Sequence, residues 1–220
     1  LAVYHDTATF SSCTAVTGPF PGMPVPLEGD DVTDLIEEHR DSLPFSDQIT
    51  TMDPPKHTAH RGLLMRLLTP KRLAENEAFI WSLVDQQIDE FLPTGRCEVV
   101  RELGGPFTML VIADLLGVPE SDHEWFIEAM GRRGGHIGGT GGSTLAKTPL
   151  EVLYDRFVEY LEDRRRAPRG DVLTGLATAT FADGSIPEAG DVAKIASNLF
   201  AAGQETTIRL LGTAFLRIGE

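Results

Sequence analysis

An acid followed by a hydroxyl lies inside an apolar run near the end of the sequence. Glu205 is the only ionisable residue within 195–208, and Thr206 follows it directly. A carboxylate among apolar residues is costly unless it has a partner or a chemical task. The Thr206 hydroxyl can bond back to the carbonyl of Ala202, which tends to open a helical turn, and Gly203 makes that distortion easy. The spacing predicts a notch in a helix, lined by a hydroxyl and backed by an acid.

A structural role for the same residues is also open. In that interpretation Gly203 permits close helix packing, Thr206 satisfies its own backbone and Glu205 reaches a surface arginine.

A group of basic side chains follows a double proline earlier in the chain. Asp53 is suited to cap a helix, with Pro54-Pro55 in its first turn. His57 and Arg61 then share one helical face, where together they can bind a carboxylate, although a solvated basic face fits as well. His57 and His60 have a spacing that permits metal binding, but no third ligand is near, so solvent or carboxylate contact is favoured.

Helical periodicity defines the elements that must position these groups. Apolar residues at helical spacing predict a long, buried central helix over 190–217. The same pattern predicts helices over 70–92 and 106–116, the second ended by Gly117. Strand patterns are sparse, so we expect one mainly α unit over 1–220 with little β structure.

Other segments have a different character. Residues 13–50 are rich in proline and glycine and predict an irregular connector, and the glycines of 131–147 predict a mobile loop. Asp171 is expected to cap a short helix. Arg164, Arg165 and Arg166 end a helix, where we expect them to face solvent.

Composition limits the classes of function. The 220 residues carry a net charge of -14, which argues against nucleic-acid binding because phosphate contacts need a basic face. No apolar stretch approaches the ~20 residues that a bilayer requires, and no secretion signal is recognisable, so the cytosol is the expected compartment. Cys13 and Cys97 have no metal-binding spacing and are expected to be reduced thiols.

Three motifs in order carry a family resemblance: Phe-Ser-Ser at 10–12, Asp-Pro-Pro-Lys-His-Thr-Ala-His-Arg at 53–61 and Ala-Gly-Gln-Glu-Thr-Thr at 202–207. Together they resemble the cytochrome P450 family of haem-thiolate monooxygenases. The resemblance implies a P450 fold whose long central helix lies on the distal side of the haem and whose glycine-rich loop at 131–147 is a lid over the substrate entrance. It covers essentially all the given residues.

The resemblance also implies roles for individual residues. Glu205 and Thr206 would be the catalytic acid and alcohol that relay protons to dioxygen. The haem would be contacted by His57 and Arg61 at its propionates and by Ala202, Gly203 and Thr206 on its oxygen side. Candidate substrate-pocket residues are Phe20, Met23, Val25, Leu27 and Leu199.

Two parts of the family pattern are missing, the Glu-x-x-Arg helix and the loop with the iron-binding cysteine. We therefore assign no metal ligand, and we expect a segment of a longer parent that would be the enzyme. The implied parent inserts one oxygen atom into an apolar small molecule and receives electrons from a ferredoxin or flavoprotein. Residues that could contribute to docking of that donor are Arg61, Arg66, Lys71 and Arg72.

Three rival functions were weighed. A catalytically inert helical module for ligand binding or interaction is the leading alternative. A di-iron oxidase is weakened because a single Glu-x-x-His occurs, at Glu120 and His123. Nucleotide binding is weakened because Ala146 replaces a required glycine in the phosphate-loop pattern that runs from 141 to 148.

Overall fold

A computed structural model describes residues 2–7, 9–10, 12, 25–26, 28–39, 48–65, 67–131 and 149–219. Within those ranges every regular element is helical, which confirms the prediction of a mainly α fold. In chain order the helices are α1 Ala2–His5, α2 Thr33–His39, α3 Lys56–Met65, α4 Pro70–Phe91, α5 Gly105–Leu116, α6 His123–Gly131, α7 Pro149–Arg166, α8 Val172–Ala177 and α9 Ala189–Gly219.

The predicted helices over 70–92 and 106–116 are present as α4 and α5, and local signals explain their limits. The hydroxyl of Thr69 accepts the amide N–H of Arg72, and Pro70 occupies the first turn of α4. A π-helical turn, Val99–Gly104, leads into α5. This turn could not be predicted from the sequence, because six residues are too few to show a π-helical spacing of apolar side chains.

Gly117 ends α5 as predicted, and the structure gives two reasons for a glycine. Its φ of 90° lies in the left-handed region, which side chains other than glycine adopt rarely. A Cβ at this position would also lie 2.3 Å from the Cβ of Asp171. The end of α5 therefore touches the residue that caps α8, where the Asp171 carboxylate accepts the amide of Thr174 at 2.7 Å.

The hydrophobic core surrounds the first half of α9. Fully buried side chains from four helices meet there, and burying each contributes about 1.5–3 kcal/mol. They include Leu116 of α5, Phe126 of α6, Leu153 and Phe157 of α7, and Val192 and Phe200 of α9. The most extensive helix pairing in the described part of the chain is that of α7 with α9.

The expectation that all three arginines at the end of α7 face solvent is wrong for Arg164, which is 1% exposed. Its Nε bonds Asp171 at 2.7 Å, and its Nη2 donates to the carbonyl of Gly117 at 2.7 Å. Arg165 is only partly in line with the expectation, because its guanidinium donates to the carbonyls of Ala177 at 3.1 Å and Pro187 at 2.7 Å, whereas Arg166 is exposed as expected. A buried guanidinium is tolerated here because its donors meet a carboxylate and a helix-terminal carbonyl.

The described residues include all of the predicted central helix but only part of the predicted connector and lid loop. The predicted central helix over 190–217 lies within α9. The predicted connector over 13–50 contains the short helix α2, and much of the rest lies outside the described residues. The predicted lid loop over 131–147 lies outside them too, except for Gly131. None of the helices in the described ranges has the length and apolar character needed to cross a bilayer.

Candidate functional site

The acid and hydroxyl pair lies just past the middle of α9. The Thr206 Oγ1 donates to the carbonyl of Ala202 at 3.0 Å, as predicted, and the Thr207 Oγ1 donates to the carbonyl of Gly203 at 3.1 Å. The predicted notch is not observed, because α9 continues as α-helix through this turn, over Ala189–Gly219. Two successive threonine back-bonds therefore supply carbonyls with a second donor without ending the helix.

The Thr206 hydroxyl lies on an exposed side of α9. Ala202, Thr206, Leu210 and Thr213 are all exposed and fall within about 80° of one another around the helix. We call these four residues the open face. The opposite side carries buried residues such as Phe200 and Gln204. The open face presents the methyl group of Ala202, the hydroxyls of Thr206 and Thr213, and the exposed side chain of Leu210.

Gly203 borders the open face, about 20° beyond Leu210 around the helix, and meets α5. A Cβ on Gly203 would lie 3.3 Å from the Cδ1 of Ile112 in α5. The missing side chain therefore permits close packing of α9 on α5, which was the structural alternative for this glycine. Of the two small residues assigned to the oxygen-side groove, Ala202 is the one that lies on the open face.

Glu205 has an ionic partner one turn further along α9. The Nε of Arg209 bonds the Glu205 carboxylate at 3.0 Å, and the two side chains are 68% and 35% exposed. Exposed pairs at this spacing contribute about 0.5 kcal/mol or less, so the contact leaves Glu205 able to change partners. The structural alternative, in which Glu205 reaches a surface arginine, is therefore observed, and that arginine is Arg209, four residues after Glu205.

The basic pair lies on α3, near its first turn. His57 is half-buried and Arg61 is exposed, so the guanidinium is available to a carboxylate outside the described structure. The Asp53 carbonyl accepts the amide of His57 at 2.9 Å, while the Asp53 carboxylate accepts the amide of Ser12 at 2.7 Å. That last bond joins the Phe-Ser-Ser segment to the start of α3.

His60 is placed differently from His57. It is buried, its Nδ1 donates to the carbonyl of Lys56 at 2.9 Å, and its ring meets Phe181 edge to face with centroids 5.3 Å apart. The expectation of a solvent or propionate contact is therefore wrong for His60. No group of three potential metal ligands occurs among the described residues.

A contact far apart in sequence links the two halves of the candidate site. The Asn198 side-chain amide donates to the Gln48 side-chain oxygen at 3.4 Å. Thr51 and Met52, between Gln48 and α3, are buried. Asn198 precedes Thr206 by eight residues, about 12 Å along the helix. The segment that leads into the basic pair therefore contacts α9 about two turns before the hydroxyl.

Comparison with known proteins gives a consistent result. No protein-family model matches the chain. The putative cytochrome P450 126 of Mycobacterium tuberculosis is 29% identical over all of this chain and 51% of its own length. The substrate-free structure of cytochrome P450 CYP150A6 of Mycobacterium marinum is 52% identical, with a TM-score of 0.81 over 97% of this chain and 49% of its own. The polyketide biosynthesis cytochrome P450 PksS of Bacillus subtilis is 26% identical over 79% of this chain and 42% of its own length.

The chain belongs to the cytochrome P450 family. It spans about half the length of the P450s that it matches. The fold described above is accordingly part of a P450 fold, with α9 as its long central helix.

The residues present fit part of a P450 haem site. A flat cofactor can lie against the open face, and Arg61 and His57 supply donors suited to carboxylates. No iron ligand is assigned to Cys97. Partial burial raises the pKa of its thiol, and the carboxylates of Glu102 and Glu98 raise it further. Cys97 is a free thiol, as predicted, and Cys13 lies outside the described residues.

The predicted substrate-pocket residues are only partly covered. Leu199 is half-buried on α9, one turn before Ala202 and Gly203, and Val25 is half-buried. Phe20, Met23 and Leu27 lie outside the described residues, so their assignment stays a prediction.

Proposed function

We propose that this chain works as part of a longer cytoplasmic P450, a haem-dependent monooxygenase that inserts one atom of dioxygen into an apolar small molecule. Its electrons would come from a ferredoxin or a flavoprotein. One observation carries the proposal. The open face of α9, with Ala202 and Thr206, lies on the same helix that the segment leading to His57 and Arg61 contacts through Asn198.

The cofactor would be held by residues already placed. Arg61 and His57 would bind the haem propionates, and Ala202 would allow the ring to approach the α9 backbone. When bound, a thiolate-ligated haem supplies dioxygen activation. Its axial cysteine would come from outside this segment.

The protein groups would deliver protons to that chemistry. The Glu205 carboxylate, 35% exposed, can exchange protons with solvent. Thr206 Oγ1 already donates to Ala202 and keeps its lone pairs for a second partner on the open face. In this proposal Glu205 and Thr206 are the catalytic pair, and the Arg209 contact is the resting partner of the acid.

The electron donor would approach a basic surface near α3 and α4. Arg61 is exposed, and the Lys71 side chain is 85% exposed with Glu75 3.7 Å away. Arg72 is half-buried, which makes it a weaker docking candidate, and Arg66 lies outside the described residues. An acidic donor surface would complement this region.

The decisive experiment is a carbon monoxide difference spectrum of the full-length, reduced protein. A Soret shift typical of thiolate-bound haem is expected. A protein that folds but shows no such shift would instead support a catalytically inert helical module.

A matched pair of variants tests the proton role. Thr206→Ala should leave haem binding intact but raise the amount of reductant consumed per molecule of product, because slower proton delivery lets reducing equivalents be used without product formation. Thr213→Ala is the control, since Thr213 is also exposed on the open face and makes the same kind of back-bond, to Arg209 at 2.8 Å. Equal coupling in both variants would remove Thr206 from the relay.

A further inference from the structure

A cleft of about 210 Å³ opens on the surface between α4, α5 and the turn before α8, and none of its lining residues belongs to α9. It is larger than a single water needs, at ~30 Å³, and smaller than the ~300–1,000 Å³ of pockets for drug-sized ligands. Its walls mix apolar and polar groups: Arg72, Glu75, Asn76, Phe79, Asp114, Leu115, Gly170 and Asp171.

Two of the four ionisable side chains that line the cleft, Asp171 and Glu75, already have partners. Asp171 accepts from the Nε of Arg164 with one oxygen and from the amide of Thr174 with the other. Glu75 lies 3.7 Å from the ammonium of Lys71. Asp171 is therefore engaged within the protein, whereas Glu75, 61% exposed and loosely paired, keeps acceptor capacity next to Arg72.

Three polar groups of the cleft have no side-chain partner among the described residues. The Asn76 side chain is 92% buried, since 8% is exposed, and its Oδ1 has no hydrogen-bond donor. The half-buried guanidinium of Arg72 has no ion pair within the described ranges, and the half-buried Asp114 carboxyl likewise has none. A buried acceptor without a donor costs about 1–3 kcal/mol, so Asn76 favours an occupant that supplies an N–H or O–H.

The unsatisfied groups define the chemistry of that occupant. Asn76 and Asp114 offer oxygen acceptors, which suit an ammonium group, and Arg72 offers paired donors, which suit a carboxylate. Arg72, Asn76 and Phe79 lie at helical spacing on one face of α4, and Leu115 faces them from α5. One small molecule can therefore meet both kinds of polar group and an apolar wall.

We propose that this cleft binds a small zwitterion of amino-acid type, with its carboxylate toward Arg72, its ammonium toward Asn76 and Asp114, and an apolar side chain against Phe79 and Leu115. Burial raises the pKa of the Asp114 carboxyl, with Glu120 raising it and His123 lowering it. An ammonium ligand would stabilise the charged carboxylate against that effect.

The test is calorimetric titration of the full-length protein with three probes of similar shape. L-leucine carries both charges, 3-methylbutylamine only the ammonium, and 4-methylpentanoate only the carboxylate. L-leucine is expected to bind saturably, and each analogue at least about tenfold more weakly, because each loses one charged hydrogen-bonding group. Absence of saturable L-leucine binding, or equal binding of either analogue, would overturn the proposal without any variant.

Variants then assign the two ends of the ligand. Arg72→Gln should weaken L-leucine about tenfold and leave 3-methylbutylamine unchanged, whereas Asp114→Asn should weaken both. Arg96→Gln is the control, because Arg96 is exposed and does not line the cleft. Equal effects of Arg72→Gln and Arg96→Gln would show that general charge, not the cleft, governs binding.

Discussion

The two halves of α9 differ sharply in their surroundings. Val192 and Phe200 in the first half are completely buried, whereas Leu210 and Ile218 in the second are 68% and 81% exposed. The proposed catalytic residues, Glu205 and Thr206, lie between the buried half and the exposed half of the helix. Within this chain, the buried half fixes the helix against α5, α6 and α7, while the second half is less covered by the described residues.

The largest expected effect comes from the buried half. Phe200→Ala should lower the free energy of unfolding by about 3–5 kcal/mol, because it opens a cavity among Phe126, Phe157 and α9. Phe215→Ala, at a side chain 45% exposed, should cost less than about 1 kcal/mol. Urea unfolding of this chain, followed by helical circular dichroism, measures both. Similar losses would mean that the two halves are not distinct.

A slightly smaller effect is expected at Arg164, which joins the end of α7 to the end of α5 and to the residue that caps α8. Arg164→Ala should cost about 3 kcal/mol, because Asp171 and the Gly117 carbonyl lose their donors. Exposed Arg166→Ala should change stability by less than about 0.5 kcal/mol. The same unfolding experiment compares the two. A loss below 1 kcal/mol for Arg164→Ala would show that water replaces those bonds.

The next effect depends on pH and concerns the contact of α6 with α7. Partial burial disfavours the charged Asp122, but a hydrogen bond from Tyr160 and the attraction of Arg156 outweigh it and lower the pKa of this carboxyl. Arg156 also lies over the rings of Trp125 and Tyr160, 5.4 Å from each centroid. Burial and the bond to Asp122 raise the pKa of Tyr160 in turn.

Because the folded pKa of Asp122 is depressed, its contribution is complete above the unfolded value, near ~4, and is lost as pH falls through the folded value. Asp122→Asn should cost about 1–2 kcal/mol at pH 6. That difference from the native chain should narrow below about pH 4. Unfolding curves between pH 6 and pH 2.5 check it, and a constant difference would contradict the assignment.

The smallest effect belongs to the exposed half. Arg209→Ala should change the free energy of unfolding by about 0.5 kcal/mol or less, since the pair with Glu205 is solvent-exposed. A double-mutant cycle with Glu205→Gln isolates the pair. A coupling above about 1 kcal/mol would mean that Arg209 fixes the acid instead of leaving it free to change partners.

Features that depend on near neighbours in sequence could be predicted. The Thr206 back-bond, the Asp171 cap and the Gly117 stop each involve residues within four positions, so residue type and spacing determine them. The three motifs likewise identified the family before any fold was known.

Features that depend on residues far apart in sequence could not be predicted. The burial of Arg164 depends on Gly117, 47 positions away, and the contact of Asn198 with Gln48 spans 150. The side of the helix that Gly203 faces was also not readable, since it depends on how α5 approaches. Without knowledge of its neighbours in space, a run of arginines is expected to face solvent, and a glycine on a helix is expected to be accessible to a ligand.

The unbroken course of α9 has a mechanical consequence. A single helix of 31 residues is about 46 Å long and resists bending, so its two ends move together. A tilt of the rod about its embedded end would carry Glu205 and Thr206 as one body, in proportion to their distance from the pivot. Events at the fixed end would thereby be transmitted to the proton-bearing groups as displacement, without any change in local helix geometry.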